Sequence, residues 1–169
     1  MDQIDIIPAE SLILPSSTFR KKEELPSSIN QISKNDTPVI YIITCIDPQE
    51  RFHLIKRYHT FNLYNIGFAR SQGRINIAKF NNTDSETFYV GSTMNSLKTR
   101  ITQHLGAGND RTYALHLSKW DNDIMYTLNI QVYKIKNTLN FSMERTFIEL
   151  IEQAIWEKHN PVFGKKSGL

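Results

Sequence analysis

The chain has 169 residues and a hydrophobic share of 40%, which predicts one domain with a sizeable core and excludes global disorder. Its net charge of +3 permits a polyanionic partner without requiring one. Cys45 is the only cysteine, so the chain cannot form an internal disulfide or a cluster of thiolate metal ligands.

The sequence also bears on membrane association. No stretch approaches the roughly 18 consecutive apolar residues of a membrane span. The first residues lack the basic start and the long apolar core of a secretion signal. We therefore expect a soluble, cytoplasmic protein that does not associate with a membrane.

The N-terminal part of the chain is predicted to be an arm followed by a strand. Residues 1–37 alternate short apolar patches with prolines and serine pairs, which predicts an extended arm with room for one short helix. Residues 38–46 are an apolar, β-branched run of the kind found in buried strands, and Tyr41 lies in its middle.

A short helix is predicted next, because Asp47 suits an N-cap and Pro48 suits the first helical position. Its apolar spacing ends at about Tyr58. Residues 59–86 are predicted to be irregular, with room for a short strand over 74–80. Three basic residues of this region could line a groove: Arg70, Arg74 and Lys79.

The most informative stretch is a strand, a tight turn and a helix. Residues 87–90 are β-branched and aromatic and stop at Gly91, which predicts a strand that ends in a turn. Arg100 and His104 lie four residues apart on the flank of the helix that follows. Arg offers a bidentate fork for phosphate oxygens, His transfers protons near neutral pH, and a Gly lets a phosphate approach the backbone. This stretch therefore predicts a site for a phosphate.

Further elements are predicted after this stretch. Gly106 ends the first helix, and a second helix is predicted over 111–120. A third strand, with one wet face, is predicted over 125–135. A long helix is predicted from Asn140 or Ser142 to about Lys158. Residues 98–119 supply the whole net charge as one basic face, through Lys98, Arg100, Arg111 and Lys119 against Asp110.

Glu152 borders the apolar stripe of the last helix, where a carboxylate is uncommon.

In chain order, the residues described above resemble the GIY-YIG nuclease family. Residues 39–41 (VIY) match its first motif and residues 89–91 (YVG) match its second. Arg100 with His104 matches the third motif, and Glu152, in a stretch that ends in Pro-x-aromatic, matches the fourth. The resemblance covers residues 38–164.

The chain departs from the family pattern in three places. Val39 replaces a Gly, and Gly164 falls where many members have a supporting Asn, so that role is empty or moves to Asn160. The family joins its first two strands by a short hairpin, whereas Tyr41 and Tyr89 are far apart here. The resemblance thus implies a nuclease domain over 38–169 with an insertion at about 47–86. The Arg-x-x-x-His pattern is most like the restriction-endonuclease branch, in which insertions and arms read DNA sequence.

The resemblance implies an α/β (α+β) fold with a small, three-stranded, mainly antiparallel sheet flanked by helices. It also implies a metal-dependent endonuclease that hydrolyses phosphodiester bonds in DNA, in restriction, phage defence or mobile-element processing. An enzyme of this size that cuts both strands is expected to be a homodimer.

The resemblance also implies roles for individual residues. Glu152 would hold Mg²⁺, with Mn²⁺ able to substitute, and Arg100 would neutralise the charge that develops on the phosphate. Either Tyr41 or Tyr89, helped by His104, would take the proton of the attacking water, and Tyr41 is the favoured base. Four residues are predicted to bind substrate: Gly91, Lys98, Arg111 and Lys119.

Two alternatives stay open from the sequence. The missing Gly and Asn are compatible with a nucleic-acid binding module that has lost catalysis. The N-terminal segment alone would also suit a scaffold protein whose arm wraps a partner. Salt dependence separates the two alternatives, because contacts with phosphates release counterions.

Overall fold

The computed structural model describes residues 4–20, 37–137 and 144–166. None of the helices in these ranges is long and apolar enough to cross a membrane. Two short 3-10 helices, Arg70–Gln72 and Leu117–Lys119, lie in the connections. The strands and α-helices, in chain order, are β1 (Ile4–Pro15), α1 (Ser16–Arg20), β2 (Val39–Cys45), α2 (Pro48–Asn65), β3 (Thr87–Thr93), α3 (Leu97–Leu105), β4 (Thr127–Asn137) and α4 (Arg145–His159).

Within these ranges, four strands form one antiparallel sheet in the order β1-β4-β2-β3. The helices that flank it confirm the mixed α/β class, but the predicted number of three strands is wrong. The additional strand is β1, which pairs with β4 and which the prolines had indicated to be an arm. Pro8 fits because β1 is an edge strand, and the register shifts between Pro8 and Glu10.

The sheet has two covered faces, and β2 contributes to both of them. Tyr41 and Ile43 belong to the larger core, which also contains Leu54 from α2. Ile40 and Ile42 point the other way and pack in a smaller core with Ile148, Val90 and Ile155, so α4 covers that second face. Burial on both sides explains why β2 is almost continuously apolar.

The connection from β2 to β3 is more helical than the sequence indicates. Asp47 caps α2 as predicted, through bonds from the N–H groups of Gln49 and Glu50 at 3.0 and 3.2 Å. The helix then continues past Tyr58 to Asn65, so its predicted end is wrong. Asn65 is buried, and both ends of its side-chain amide bond to the backbone of Ile75, at 2.8 and 2.9 Å. This polar contact with a distant segment leaves no apolar signal in the sequence.

Two predicted elements on either side of α3 do not form. The predicted strand over 74–80 is reduced to isolated bridges, one between Ile77 and Ala114 and one between Phe80 and Phe163. The predicted helix over 111–120 is wrong, because only Leu117–Lys119 is helical there. Ala114 lies in the bridge just named, and His116 has a φ of 51°, which a right-handed helix cannot accommodate.

The remaining elements agree with the sequence. The helix α3 ends at Gly106, whose φ of 98° is left-handed as expected for a C-cap. The strand β4 lies within two residues of its predicted bounds, and α4 ends one residue after the predicted Lys158. The caps predicted for α4, Asn140 and Ser142, lie outside the described residues.

Candidate active site

Two adjacent strands place the two predicted tyrosines side by side. Tyr41 on β2 is paired with Gly91 on the edge strand β3, two residues beyond Tyr89. The rings of Tyr41 and Tyr89 are stacked, with centroids 6.4 Å apart and planes at 11°. Both side chains are buried on the face of the sheet that α3 covers.

Gly91 is required by Tyr41. A Cβ atom at position 91 would lie 2.4 Å from the Tyr41 hydroxyl oxygen and 2.9 Å from Cε1 of Tyr89. Real Cβ atoms essentially never make contacts this short. Packing therefore explains the glycine at position 91, because the absence of a Cβ atom lets the Tyr41 ring cross the edge strand. The role in substrate binding that we predicted for Gly91 stays a prediction.

The helix α3 brings His104 to both tyrosines. Nε2 of His104 is 3.0 Å from the hydroxyl oxygen of Tyr41, and the imidazole lies 4.3 Å from the Tyr89 ring between centroids. His104 is completely buried. The Ser96 side chain caps the start of α3, and Leu97 and Ile101 anchor the helix in the larger core. His104 lies one turn after Ile101, at i, i+3, so this anchoring directs His104 to the tyrosine pair.

The backbone fixes the tautomer of His104. The N–H of Leu115 donates to Nδ1 of His104 at 3.2 Å, so Nδ1 has to be the unprotonated nitrogen. In the neutral ring the proton is then on Nε2, which donates to Tyr41. Burial lowers the pKa of His104 well below its usual value, and the Arg100 charge lowers it further. His104 is therefore a neutral hydrogen-bond donor to Tyr41.

Arg100 adds a positive charge at the tyrosine hydroxyl. It is half-buried, and its Nη1 donates to Oε1 of Gln103 at 2.6 Å. Its Nη2 is 3.5 Å from the backbone oxygen of Tyr113. Burial raises the pKa of Tyr41 above its usual range, and the Arg100 guanidinium acts to lower it. Burial, and then the Tyr41 charge, raise the pKa of Tyr89 well above its usual value.

Glu152 reaches the same strand from the opposite face of the sheet. Its side chain, on α4, is buried at 8% exposure and accepts a hydrogen bond from the hydroxyl of Ser92. Electrostatic interactions link Glu152 to Arg100 and to both tyrosines. The five predicted catalytic residues therefore surround the edge strand β3 at Gly91 and Ser92.

Ser92 is a residue of the site that sequence reasoning missed. Its signal is local, because it is the polar residue next to Gly91 on a strand whose other side chains are mostly apolar. Its partner Glu152 is 60 residues away in the sequence. Only the packing of α4 on β3 connects the two.

The four predicted cations do not form one basic face. Lys98 is exposed on α3, whereas Arg100 belongs to the tyrosine cluster. Arg111 lines a groove next to α2, together with three basic residues of the β2–β3 connection. Lys119 is 3.3 Å from a carboxylate oxygen of Asp110 and lines a separate pocket. Arg100 is thus the predicted cation that lies with the tyrosines.

Asn160, which we predicted as the alternative position for the supporting amide, has a structural role of its own. Asn160 is the left-handed C-cap of α4, with a φ of 44°, and lies eight residues, or about 12 Å, along the helix from Glu152. Gly164 has a φ of 110°, and a Cβ atom there would meet the Tyr89 ring at 3.1 Å. A side chain at position 164 would therefore be strained.

Aromatic, imidazole, guanidinium and carboxylate groups around one strand edge form a site that can bind and hydrolyse a phosphate ester. The family model for the GIY-YIG catalytic domain matches residues 78–165, just over half of the chain. The chain belongs to the GIY-YIG family and is thereby a nuclease that hydrolyses phosphodiester bonds. No curated protein and no solved structure gave a match. The family match begins after β2, so the position of Tyr41 in the site comes from the structure.

Proposed function

We propose that the chain is a Mg²⁺-dependent endonuclease that hydrolyses phosphodiester bonds in DNA, most similar to the restriction-endonuclease branch of its family. One observation carries the proposal. The hydroxyl of Tyr41 is 3.0 Å from His104 Nε2, beside Arg100, and lies against Gly91 of β3. The next residue of β3, Ser92, donates a hydrogen bond to the Glu152 carboxylate. A module that only binds nucleic acid has no need for this combination of acid, base and cation.

The residues present fit Mg²⁺ as a cofactor. Mg²⁺ is commonly bound by one or two carboxylates, several waters and a phosphate oxygen of the substrate. Glu152 supplies one carboxylate at the strand edge, and the described residues contain no group of three or more His, Cys, Asp or Glu side chains placed to hold a metal ion together. Glu152 would hold the ion, with Mn²⁺ able to substitute. When bound, the ion would supply Lewis-acid stabilisation of the leaving oxygen.

Tyr41 would act as the general base. The N–H of His104 and the charge of Arg100 both favour its phenolate form, which would take one proton from the attacking water. The water oxygen then forms a bond to phosphorus as the bond to the leaving oxygen breaks, and the leaving oxygen takes a proton from solvent. Tyr89, whose ring is stacked on that of Tyr41, would position the water or the phosphate.

Arg100 would stabilise the transition state. Gln103 and the carbonyl of Tyr113 orient its guanidinium before substrate arrives. A preorganised cation at the reacting phosphate is commonly among the largest contributions to such a reaction, on the order of 3 kcal/mol for one donor.

Two strands would be cut by two such sites, so we also propose a homodimer for double-strand cleavage.

Cleavage of plasmid DNA with Mg²⁺ tests the proposal. Glu152→Gln keeps the shape of the side chain and removes its charge, and we expect it to reduce the cleavage rate at least about a hundredfold. Glu157→Gln is the matched control, because Glu157 is exposed on the same helix and pairs with Lys166. The proposal fails if the intact protein binds DNA in a salt-sensitive way but never cuts it with Mg²⁺ or Mn²⁺. That result would favour the inactive binding module.

A further inference from the structure

A basic groove lies beside the active site. Its volume is about 800 Å³, and its walls are α2 and the segment that follows it. In the described part of the chain, no Asp or Glu lines this groove. Its rim carries four cations: Arg70, Arg74, Lys79 and Arg111.

Hydrogen bonds hold the backbone of the groove in place. The amide of Asn65 holds the backbone of Ile75 through two bonds, at 2.8 and 2.9 Å. The backbone N–H of Asn76 donates to the carbonyl of Asp110 at 2.8 Å, and the Asn76 side chain donates to the carbonyl of Arg111 at 3.1 Å. These contacts fix the backbone that presents the cations. All four cationic side chains are exposed, and none forms an ion pair with another described residue.

Tyr113 links the groove to the catalytic residues. The hydroxyl of Tyr113 accepts a hydrogen bond from the backbone N–H of Lys79 at 2.9 Å, at the edge of the groove. The carbonyl of the same tyrosine faces Nη2 of Arg100 at 3.5 Å. One residue therefore connects the rim of the groove to the cation of the active site.

The side chains that line the groove suit a polyanion that also carries planar rings. Uncompensated Arg and Lys side chains bind phosphates, and Arg does so in a bidentate way. The lining also contains Tyr58, His59 and Phe80, and His59 and Phe80 are in edge contact at 4.5 Å between centroids. Aromatic side chains next to cations offer surfaces for sugars and bases of a nucleic-acid strand.

We infer that this groove binds the backbone of a DNA strand next to the phosphodiester that is cut, and this inference rests on the proposed nuclease function. Arg70 and Arg74 precede residue 78, where the match to the catalytic domain begins, whereas Lys79 and Arg111 lie within it. Half of the rim is thus supplied by a segment of this chain outside the matched domain. The groove extends substrate contacts beyond the catalytic residues.

Binding of a fluorescent DNA duplex of about 30 base pairs tests the inference, with salt varied from about 50 to about 200 mM. The protein carries Glu152→Gln throughout, so that binding is measured without cleavage. The test variant adds Arg70→Gln and Arg74→Gln. The matched control adds Lys136→Gln and Lys158→Gln, which remove the same charge from exposed positions on β4 and α4.

We expect the groove variant to bind at least about tenfold more weakly than the control, with a slope of log K against log salt reduced by about 1.8, or 0.9 for each lost phosphate contact. Equal affinities and slopes for the two variants would overturn the inference. The nuclease proposal fails separately, if the protein with native Glu152 never cuts a DNA that the groove binds. If no variant binds DNA, both are overturned.

Discussion

Two fixed partners determine what His104 can do. The N–H of Leu115 requires an acceptor at Nδ1, and the hydroxyl oxygen of Tyr41 accepts a hydrogen bond from Nε2–H. Protonation would place an N–H donor at Nδ1 against the N–H of Leu115, and a positive charge near the Arg100 cation. The same histidine that supports the Tyr41 hydroxyl is therefore held neutral, which makes Tyr41 the better candidate for the general base.

This arrangement predicts a dependence of stability on pH. The pKa of His104 is lowered in the folded state, so the unfolded chain binds more protons as pH falls below the ordinary histidine pKa of about 6.5. The free energy of unfolding should then fall by about 1 kcal/mol, between about pH 7 and about pH 5.5, through this one group. Urea unfolding of the protein at both pH values measures the loss.

Two substitutions isolate the contribution of His104 to that loss. His104→Asn should reduce the loss between the two pH values, because the titrating group is gone. His53→Asn is the control, because it removes a histidine whose side chain is 46% exposed and leaves His104 in place. If the intact protein and His104→Asn show the same dependence, His104 is not held neutral.

At the level of elements, the short helix α1 connects β1 to the rest of the fold. Arg20, at its end, forms an ion pair with Asp121 at 2.8 Å, and the two side chains are 16% and 3% exposed. The hydroxyl of Tyr126 donates to the same carboxylate at 2.9 Å. The N-terminal segment is therefore joined to the sheet by backbone pairing at β1 and by a buried ion pair after it.

Loss of this ion pair should be costly. Arg20→Ala leaves the carboxylate of Asp121 buried without its cation, and we expect the free energy of unfolding to fall by on the order of 3 kcal/mol. Arg145→Ala is the comparison, because Arg145 pairs with Glu149 at 2.7 Å but is 76% exposed, and such pairs contribute about 0.5 kcal/mol or less. Urea unfolding of the two variants measures both changes. Similar losses would contradict a structural role for Arg20.

At the level of the whole molecule, the sequence predicted the elements whose signals are local. The apolar run of β2, the cap of α2, the glycine that ends α3 and the stripe of α4 each lie within a few residues of what they specify. The order of Tyr41, Tyr89, Arg100, His104 and Glu152 then indicated the family, and the structure brings these residues to one strand edge.

The errors come from contacts between distant segments. The local sequence at Pro8 indicated an interruption of any strand. Pro8 nevertheless lies in the edge strand β1, which pairs with β4. Asn65 extends α2 through bonds to Ile75, and the pairing of Ile77 with Ala114 keeps residues 111–116 out of a helix. In each case a polar or backbone contact outweighs local propensity, and nothing in the local sequence encodes that contact.

The central claim is that β2, which lies before the matched catalytic domain, completes the active site with the hydroxyl of Tyr41. The most direct test is the single-turnover rate of plasmid cleavage by Tyr41→Phe, which removes one oxygen and keeps the ring. Tyr64→Phe is the control, because Tyr64 is 73% exposed on α2. We predict a loss of at least about a hundredfold for Tyr41→Phe, in line with the contribution of general bases, and no change for the control. Cleavage by Tyr41→Phe at the rate of the intact protein would contradict the account.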